Sequence, residues 1–187
     1  MAEKLHLYHF LPASRANGPG LRAVIWVQGC TLNCPGCFNP QTHTVQGGAL
    51  IDVDDLFGEI RARKDTLEGI TISGGEPFQQ MRPVLSLLKR IRAETTLSTL
   101  VFSGYTWEEI QRFPAIHELK ACVDVLIAGR YDVMQPLSTG LVSSANQVPL
   151  FFSDRYTTDD LLSVPPAEVI LSPDGEIVAS GVGGIEL

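Results

Sequence analysis

The chain has 187 residues, 44% of them apolar, and a formal net charge of −7. That size and composition suit one globular domain with its own core. The acidic balance speaks against nucleic acid as the partner, because phosphate recognition needs a basic patch, and no run approaches the ~20 apolar residues of a membrane span.

The opening MAEKLHLYHF lacks the apolar core and cleavage site of a signal peptide, so the expected location is the cytoplasm. Arg22 to Gln28, RAVIWVQ, is short, apolar and β-branched and ends at Gly29, which reads as a buried strand. Asp52 is placed to cap a helix in which Val53, Leu56, Phe57 and Ile60 share one face. GITISGG is a second strand running into glycines, and Val84, Leu87, Leu88 and Ile91 repeat the helical spacing after Pro83. The basic cluster Lys89 to Arg92 on that helix reads as a solvated face. LSTLVFSGY is a third strand. Thr106 and Glu109 form a capping box for a short helix that Pro114 interrupts, and CVDVLIAG is a fourth strand. Arg130 to Tyr156 is loop-rich and suited to contacting a partner. EVILSPDGEIVASG then forms a hairpin around Pro173-Asp174-Gly175.

Strands alternating with helices predict an α/β fold with a parallel sheet. The chain falls short of the roughly 250 residues of a full eight-fold barrel, so the expectation is a partial, open β/α barrel with a short C-terminal β-hairpin extension. It is read as one domain over 1–187, with a core at about 5–150 and the extension at 151–187. Gly29 to Cys37, Gly74 to Pro77, Ser103 to Tyr105 and Gly129 to Tyr131 each follow a strand. They should meet at the carboxyl edge of the sheet, where α/β sites are built.

Cys30, Cys34 and Cys37 fall in GCTLNCPGCFNP with the spacing C-x3-C-x2-C. Soft thiolates suit zinc or an iron–sulfur cluster, and the pattern is that of a metal or redox site in a reducing compartment. Three thiolates leave one coordination position open. Two readings stand: a cluster with one iron free for a ligand, or a zinc scaffold closed by His43. The fourth cysteine, Cys122, lies in an apolar run and reads as a small buried hydrophobe.

These cysteines, with SGGEP at Ser73 to Pro77, resemble the radical S-adenosylmethionine superfamily. NGPGLR, CPGCFNPQTH, VFSGYTWEE, DVLIAGRYD and SSANQ narrow the likeness to the activating proteins of anaerobic ribonucleotide reductase and related glycyl-radical-enzyme activases. The resemblance runs over most of residues 5–150. It implies that Cys30, Cys34 and Cys37 hold one [4Fe–4S] cluster whose open iron chelates S-adenosylmethionine. Reductive cleavage then gives a 5′-deoxyadenosyl radical, which abstracts hydrogen from a glycine of a partner glycyl radical enzyme. It further implies that Gly74, Gly75, Glu76 and Pro77 form a loop engaging the methionine ammonium, and that Gly36 and Phe38 approach the adenine. Ser103 would bond ribose or carboxylate, and Arg130 would grip a carboxylate. Asn146 and Gln147 would contact partner or cofactor. No second cysteine cluster is present, so electrons would come from an external donor such as flavodoxin or ferredoxin. A radical enzyme acting directly on a peptide or small molecule would use the same cluster. Replacing Cys122 with Ala is expected to leave the iron content of the anaerobically purified protein unchanged; loss of iron would make Cys122 a ligand.

Overall fold

The computed structural model describes residues 3–171, 175 and 177–182. Among the described residues, nine strands and five α-helices follow in chain order: β1 (Lys4–Ser14), β2 (Arg22–Val27), β3 (Ala49–Asp52), α1 (Val53–Arg61), β4 (Gly69–Gly74), α2 (Met81–Glu94), β5 (Ser98–Ser103), α3 (Trp107–Ile110), α4 (Ile116–Cys122), β6 (Val125–Ala128), β7 (Val148–Phe151), α5 (Thr158–Leu162), β8 (Ala167–Leu171) and β9 (Ile177–Gly181). The main sheet has the order β3-β1-β2-β4-β5-β6-β7. Its centre is parallel, β2 with β4, β4 with β5 and β5 with β6. Antiparallel strands flank it: β1 and β3 on one side and β7 on the other. The fold is thus mixed α/β around a mostly parallel centre.

Alternation along the central strands divides their side chains between two faces. Ala23, Ile25, Val27, Ile70, Ile72, Val101, Leu126 and Ala128 pack under Val53, Leu56, Phe57 and Ile60 of α1 and Val84, Leu87, Leu88 and Ile91 of α2. These are the helix faces expected from spacing. Asp52 caps α1, accepting from Asp54 N at 3.0 Å. The Thr106–Glu109 capping box is formed at α3. The opposite face is built differently. Leu100, Val125 and Ile127 are covered by Leu141, Leu161 and Val164, which lie beyond β6.

Two expectations need correction. The fourth strand begins at Val125, and Cys122 closes α4 instead. Hydrogen bonding holds the intervening turn. Thr99 Oγ1 donates to the Cys122 carbonyl at 2.6 Å, and Thr99 N donates to Asp124 Oδ2 at 2.8 Å. The basic cluster on α2 is also not wholly solvated: Arg92 reaches the buried Asp124 carboxylate at 2.9 Å. Burial pushes the Asp124 carboxyl up, but bonds from Ser153, Thr99 and Arg92 outweigh it and hold it below its ordinary value. Pro173 and Asp174 of the expected hairpin turn lie outside the described residues. The flanking strands β8 and β9 do pair antiparallel, Ala167 opposite Gly181 and Leu171 opposite Ile177. Strand β1 carries no clean period of two, with residues such as His6, Tyr8 and His9 interrupting the pattern, and so escapes a reading by periodicity.

A buried cation lies on the face opposite the helices, at the start of β2. Arg22 is fully buried. Its guanidinium donates to Thr71 Oγ1 at 2.9 Å, to Ser98 Oγ at 2.8 Å and to the Ile70 carbonyl at 2.6 Å, linking β2, β4 and β5. Replacing Arg22 with Met keeps the volume but strands these acceptors. A stability loss of about 1–3 kcal/mol is expected in urea unfolding, and an unchanged midpoint would show that the network contributes nothing.

Candidate active site

All four post-strand loops of the parallel strands meet over one cavity of about 400 Å³, a volume within the range of small-molecule sites. Cys30, Cys34 and Cys37 line it, together with Gly74, Gly75 and Glu76 after β4, Ser103 and Gly104 after β5, and Gly129 and Tyr131 after β6. The three cysteines are free thiols of intermediate exposure. Cys122 is buried in the helix-side core instead.

The cysteine loop is anchored by backbone. Gly29 N donates to the Thr42 carbonyl at 2.8 Å and Cys30 N to the His43 carbonyl at 3.1 Å, so the segment after the cysteines folds back beneath them. The glycine loop then packs onto the same place. Gly75 N donates to Val27 O at 2.8 Å and Glu76 N to Gly29 O at 2.9 Å. A side chain has no room there: a Cβ on Gly75 would stand 2.3 Å from the Gly29 carbonyl oxygen. Gly74 has φ of +98°, a conformation that only glycine adopts freely.

Burial pushes the Cys30 thiol up, and hydrogen bonds from the backbone of Leu32 and Asn33 offset part of that. Cys37 is likewise raised by burial, with Asn39 N donating to its sulfur at 3.4 Å. Backbone donors aimed at sulfur are the kind of contact that tunes a thiolate-bound metal centre. A single zinc ion would require thiolates ~2.3 Å from one common centre. Among the described residues no three His, Cys, Asp or Glu side chains are grouped in that way. The donor set of three thiols of intermediate exposure around one cavity, with His43 also lining it, is of the soft kind that suits an iron–sulfur cluster.

Several expected cofactor residues have other partners. Glu76 is 1% exposed and faces inward. Its carboxylate accepts from Phe78 N at 2.9 Å, Ser103 Oγ at 2.9 Å and Gly104 N at 2.7 Å. It therefore ties the loop after β4 to the loop after β5 while lining the cavity. Ser103 is held by the same bond and accepts from Tyr105 N at 3.1 Å, so its hydroxyl is also engaged within the protein. Arg130 makes a two-pronged pair with Glu109, at 2.9 and 3.0 Å, away from the cavity lining. Pro77 is buried at the start of the turn that follows. Gly36, with φ of +71°, permits a close approach to Val133: a Cβ there would lie 3.0 Å from that side chain. Phe38 is 46% exposed, which excludes a core role, and tilts against Tyr131 with ring centroids 4.6 Å apart at the cavity rim. Asn146 donates to the Arg130 carbonyl at 2.7 Å and Gln147 to the Gly129 carbonyl at 3.0 Å, so both pin the loop after β6.

Other lining residues were not anticipated. Trp26, Ser73 and Phe102 supply the floor from β2, β4 and β5. An aromatic or hydroxyl residue two positions from a buried strand residue was the available signal. Asn17, the first residue of NGPGLR, and Ala179 to Val182 complete the wall, and no local pattern announces the last four.

A cavity at the carboxyl edge of parallel strands, ringed by three thiols and a glycine loop, is the site of an α/β enzyme built around a thiolate-held cofactor, and the comparisons narrow that class to the radical S-adenosylmethionine enzymes of activating type. The family model described as 4Fe-4S single cluster domain matches residues 16–149. The anaerobic ribonucleoside-triphosphate reductase-activating protein of Escherichia coli strain K12 is 31% identical over 152 residues, covering 77% of this chain and 97% of that protein. The proteins of the same name from Vibrio cholerae and Enterobacteria phage T4 are 28% and 30% identical, with 96% and 87% of their lengths covered. The solved structure of QueE from Escherichia coli superposes on 55% of this chain and 54% of its own with a TM-score of 0.44 at 17% identity. The chain belongs to the family of anaerobic ribonucleoside-triphosphate reductase-activating proteins.

Burial pushes the Glu76 carboxyl up to about 7, against the pull of its hydrogen bonds from Phe78, Gly104 and Ser103. A raised folded-state value means stability that is fully present below the unfolded value of 4.5 and is lost as pH rises through about 7. The gap corresponds to about 3 kcal/mol. Wild-type metal-free protein should therefore lose stability, relative to Glu76→Gln, between about pH 5 and about pH 8. Parallel urea midpoints for the two proteins across that range would refute this assignment.

Proposed function

We propose that Cys30, Cys34 and Cys37 ligate one [4Fe–4S] cluster with an open iron, that S-adenosylmethionine occupies the adjoining cavity, and that the protein generates a glycyl radical on a partner reductase. The observation that carries this reading is the backbone contact of the glycine loop with the root of the cysteine loop, Glu76 N to Gly29 O at 2.9 Å. Two motifs 36 or more positions apart in the chain are thereby held as one surface. The relatives' shared name supports the choice of partner.

When bound, the cluster and S-adenosylmethionine supply reductive cleavage of a sulfonium C–S bond, and with it a radical able to take a hydrogen atom. The chain's residues do the rest. The thiolates of Cys30, Cys34 and Cys37 hold the metal, and the backbone N–H groups of Leu32, Asn33 and Asn39 stabilise sulfur charge. Gly74 and Gly75 let the loop after β4 close onto the backbone of Trp26 to Gly29, which sets it beside the cysteine loop. Phe38 and Tyr131 form an aromatic rim suited to a nucleobase face. Glu76, Ser103 and Arg130 act as positioning residues. A glycine Cα is an attainable target because its flanking amides delocalise the resulting radical.

The same reading places the protein in the cytoplasm with flavodoxin or ferredoxin as electron donor, and takes the sheet as part of an open barrel in a single domain with an extension at 151–187. Among the described residues no helix is long and apolar enough to cross a membrane.

Anaerobic reconstitution should give a brown protein with about four irons per chain. Reduced enzyme with S-adenosylmethionine and the reductase should give a glycyl doublet in the EPR spectrum, absent with Cys34→Ala. Colourless protein carrying one zinc would reject the cluster. Cofactor cleavage accompanied by a modified small molecule and no protein radical would reject the partner.

A further inference from the structure

The cavity has a wall that the family match does not include. Ala179, Ser180, Gly181 and Val182 line the same space as the cysteines. They lie beyond residues 16–149, where the family model matches. The Escherichia coli relative is covered over 97% of its length by an alignment that uses 77% of this chain. Most of that protein is thus accounted for without the whole of this one.

An isolated two-stranded hairpin is marginally stable in water, so this one depends on its attachments, and they are specific. Asn17 Nδ2 donates to Ser180 Oγ and to Ser14 Oγ, each at 2.6 Å. Both ends of this latch are buried, with Asn17 7% and Ser180 8% exposed. The Asn17 carbonyl accepts from Thr71 Oγ1 at 2.7 Å, which ties the latch to the middle of β4. On β8 the Glu168 carboxylate accepts twice from Arg15 N, at 3.0 and 3.1 Å. Val182 packs against the cluster of Leu100, Val125 and Ile127 on the face opposite the helices.

These contacts hold β9 against the cavity. Thr71 precedes Ser73, a floor residue, by one step of the strand alternation, whereas Gly74 and Gly75 close the strand at the cysteine end. The latch to β9 therefore meets β4 at mid-strand, on the side of the cavity away from the cysteine loop.

We propose that β9 is a specificity wall for the substrate: it closes the side of the cavity away from the cysteine loop, and Ser180 limits how far a substrate segment extends along the sheet face opposite the helices. A partner must then present its target residue on a short loop entering from the cysteine side. This rests on the reading of the cavity as the cofactor and substrate site, and its test separates the two. Trp26 lines the cavity, and Trp107 is the other tryptophan of the chain. In a Trp107→Phe background, Trp26 emission reports access to the cavity floor without any metal or cofactor.

Full-length Ser180→Ala, which removes the latch to Asn17, should show steeper acrylamide quenching of Trp26 than the unsubstituted chain. Full-length Ala179→Tyr, which adds bulk at an exposed lining position of β9 and leaves the latch in place, should show shallower quenching. Quenching unchanged by Ala179→Tyr overturns the wall whatever the enzyme does. In loaded enzyme, Ala179→Tyr should lower glycyl radical yield on the partner by about tenfold, the factor given by ~1.4 kcal/mol of lost binding. Cleavage of S-adenosylmethionine by dithionite-reduced enzyme should persist. Loss of both together would move β9 to the cofactor end and overturn the proposal. Absence of any radical with the unsubstituted enzyme would instead reject the proposed function, leaving the quenching result standing.

Discussion

The site depends on a contact between two stretches of bare backbone. At the carboxyl ends of β2 and β4, the Gly74–Glu76 loop lies on Val27–Gly29 with hydrogen bonds of 2.8 and 2.9 Å, at a separation that admits no side chain. Strand pairing brings the two segments side by side, since Val27 stands opposite Gly74 in the parallel register. The glycines then let them close. Because the cysteine loop springs from Gly29, its position is set by β4 as much as by its own sequence. A small shift at the register would carry all three thiols with it.

Glu76 extends this constraint to the next strand. A buried carboxylate accepting three hydrogen bonds from two loops is a costly but directional tie. Here it joins the end of β4 to the end of β5 through Ser103 and Gly104. Arg130 and Glu109 make a more exposed version of the same link between the loop after β6 and α3. The charged residues nearest the cavity thus serve mainly to fix loops. The groups left facing the cavity are thiols, glycines, aromatic rings and uncharged polar side chains such as Asn39, Gln41 and Ser73. That division suits a site in which a bound cofactor carries the chemistry and the protein supplies orientation and exclusion of water.

The two faces of the sheet are finished by different parts of the chain. Helices from the crossover connections cover one face, as expected for parallel strands. The other is covered by segments after β6, with β9 reaching the cavity itself. Hence the part of the chain beyond the family match is structurally continuous with the site and is not a separate appendage.

The local patterns were enough to find the helices α1 and α2 and their buried faces, the parallel strands β2, β4 and β5, and the clustering of Cys30, Cys34 and Cys37 ahead of the glycine loop. Each of these rests on spacing within a few residues, which periodicity and capping chemistry encode directly. What Glu76, Ser103 and Arg130 bond to, where Cys122 lies and what closes the cavity were decided only by tertiary structure. Their partners stand far along the chain, 27 positions from Glu76 to Ser103 and 163 from Asn17 to Ser180. A polar side chain carries no local mark of whether it will meet a ligand or another part of its own chain; that depends on which strands become neighbours and how closely their backbones pack.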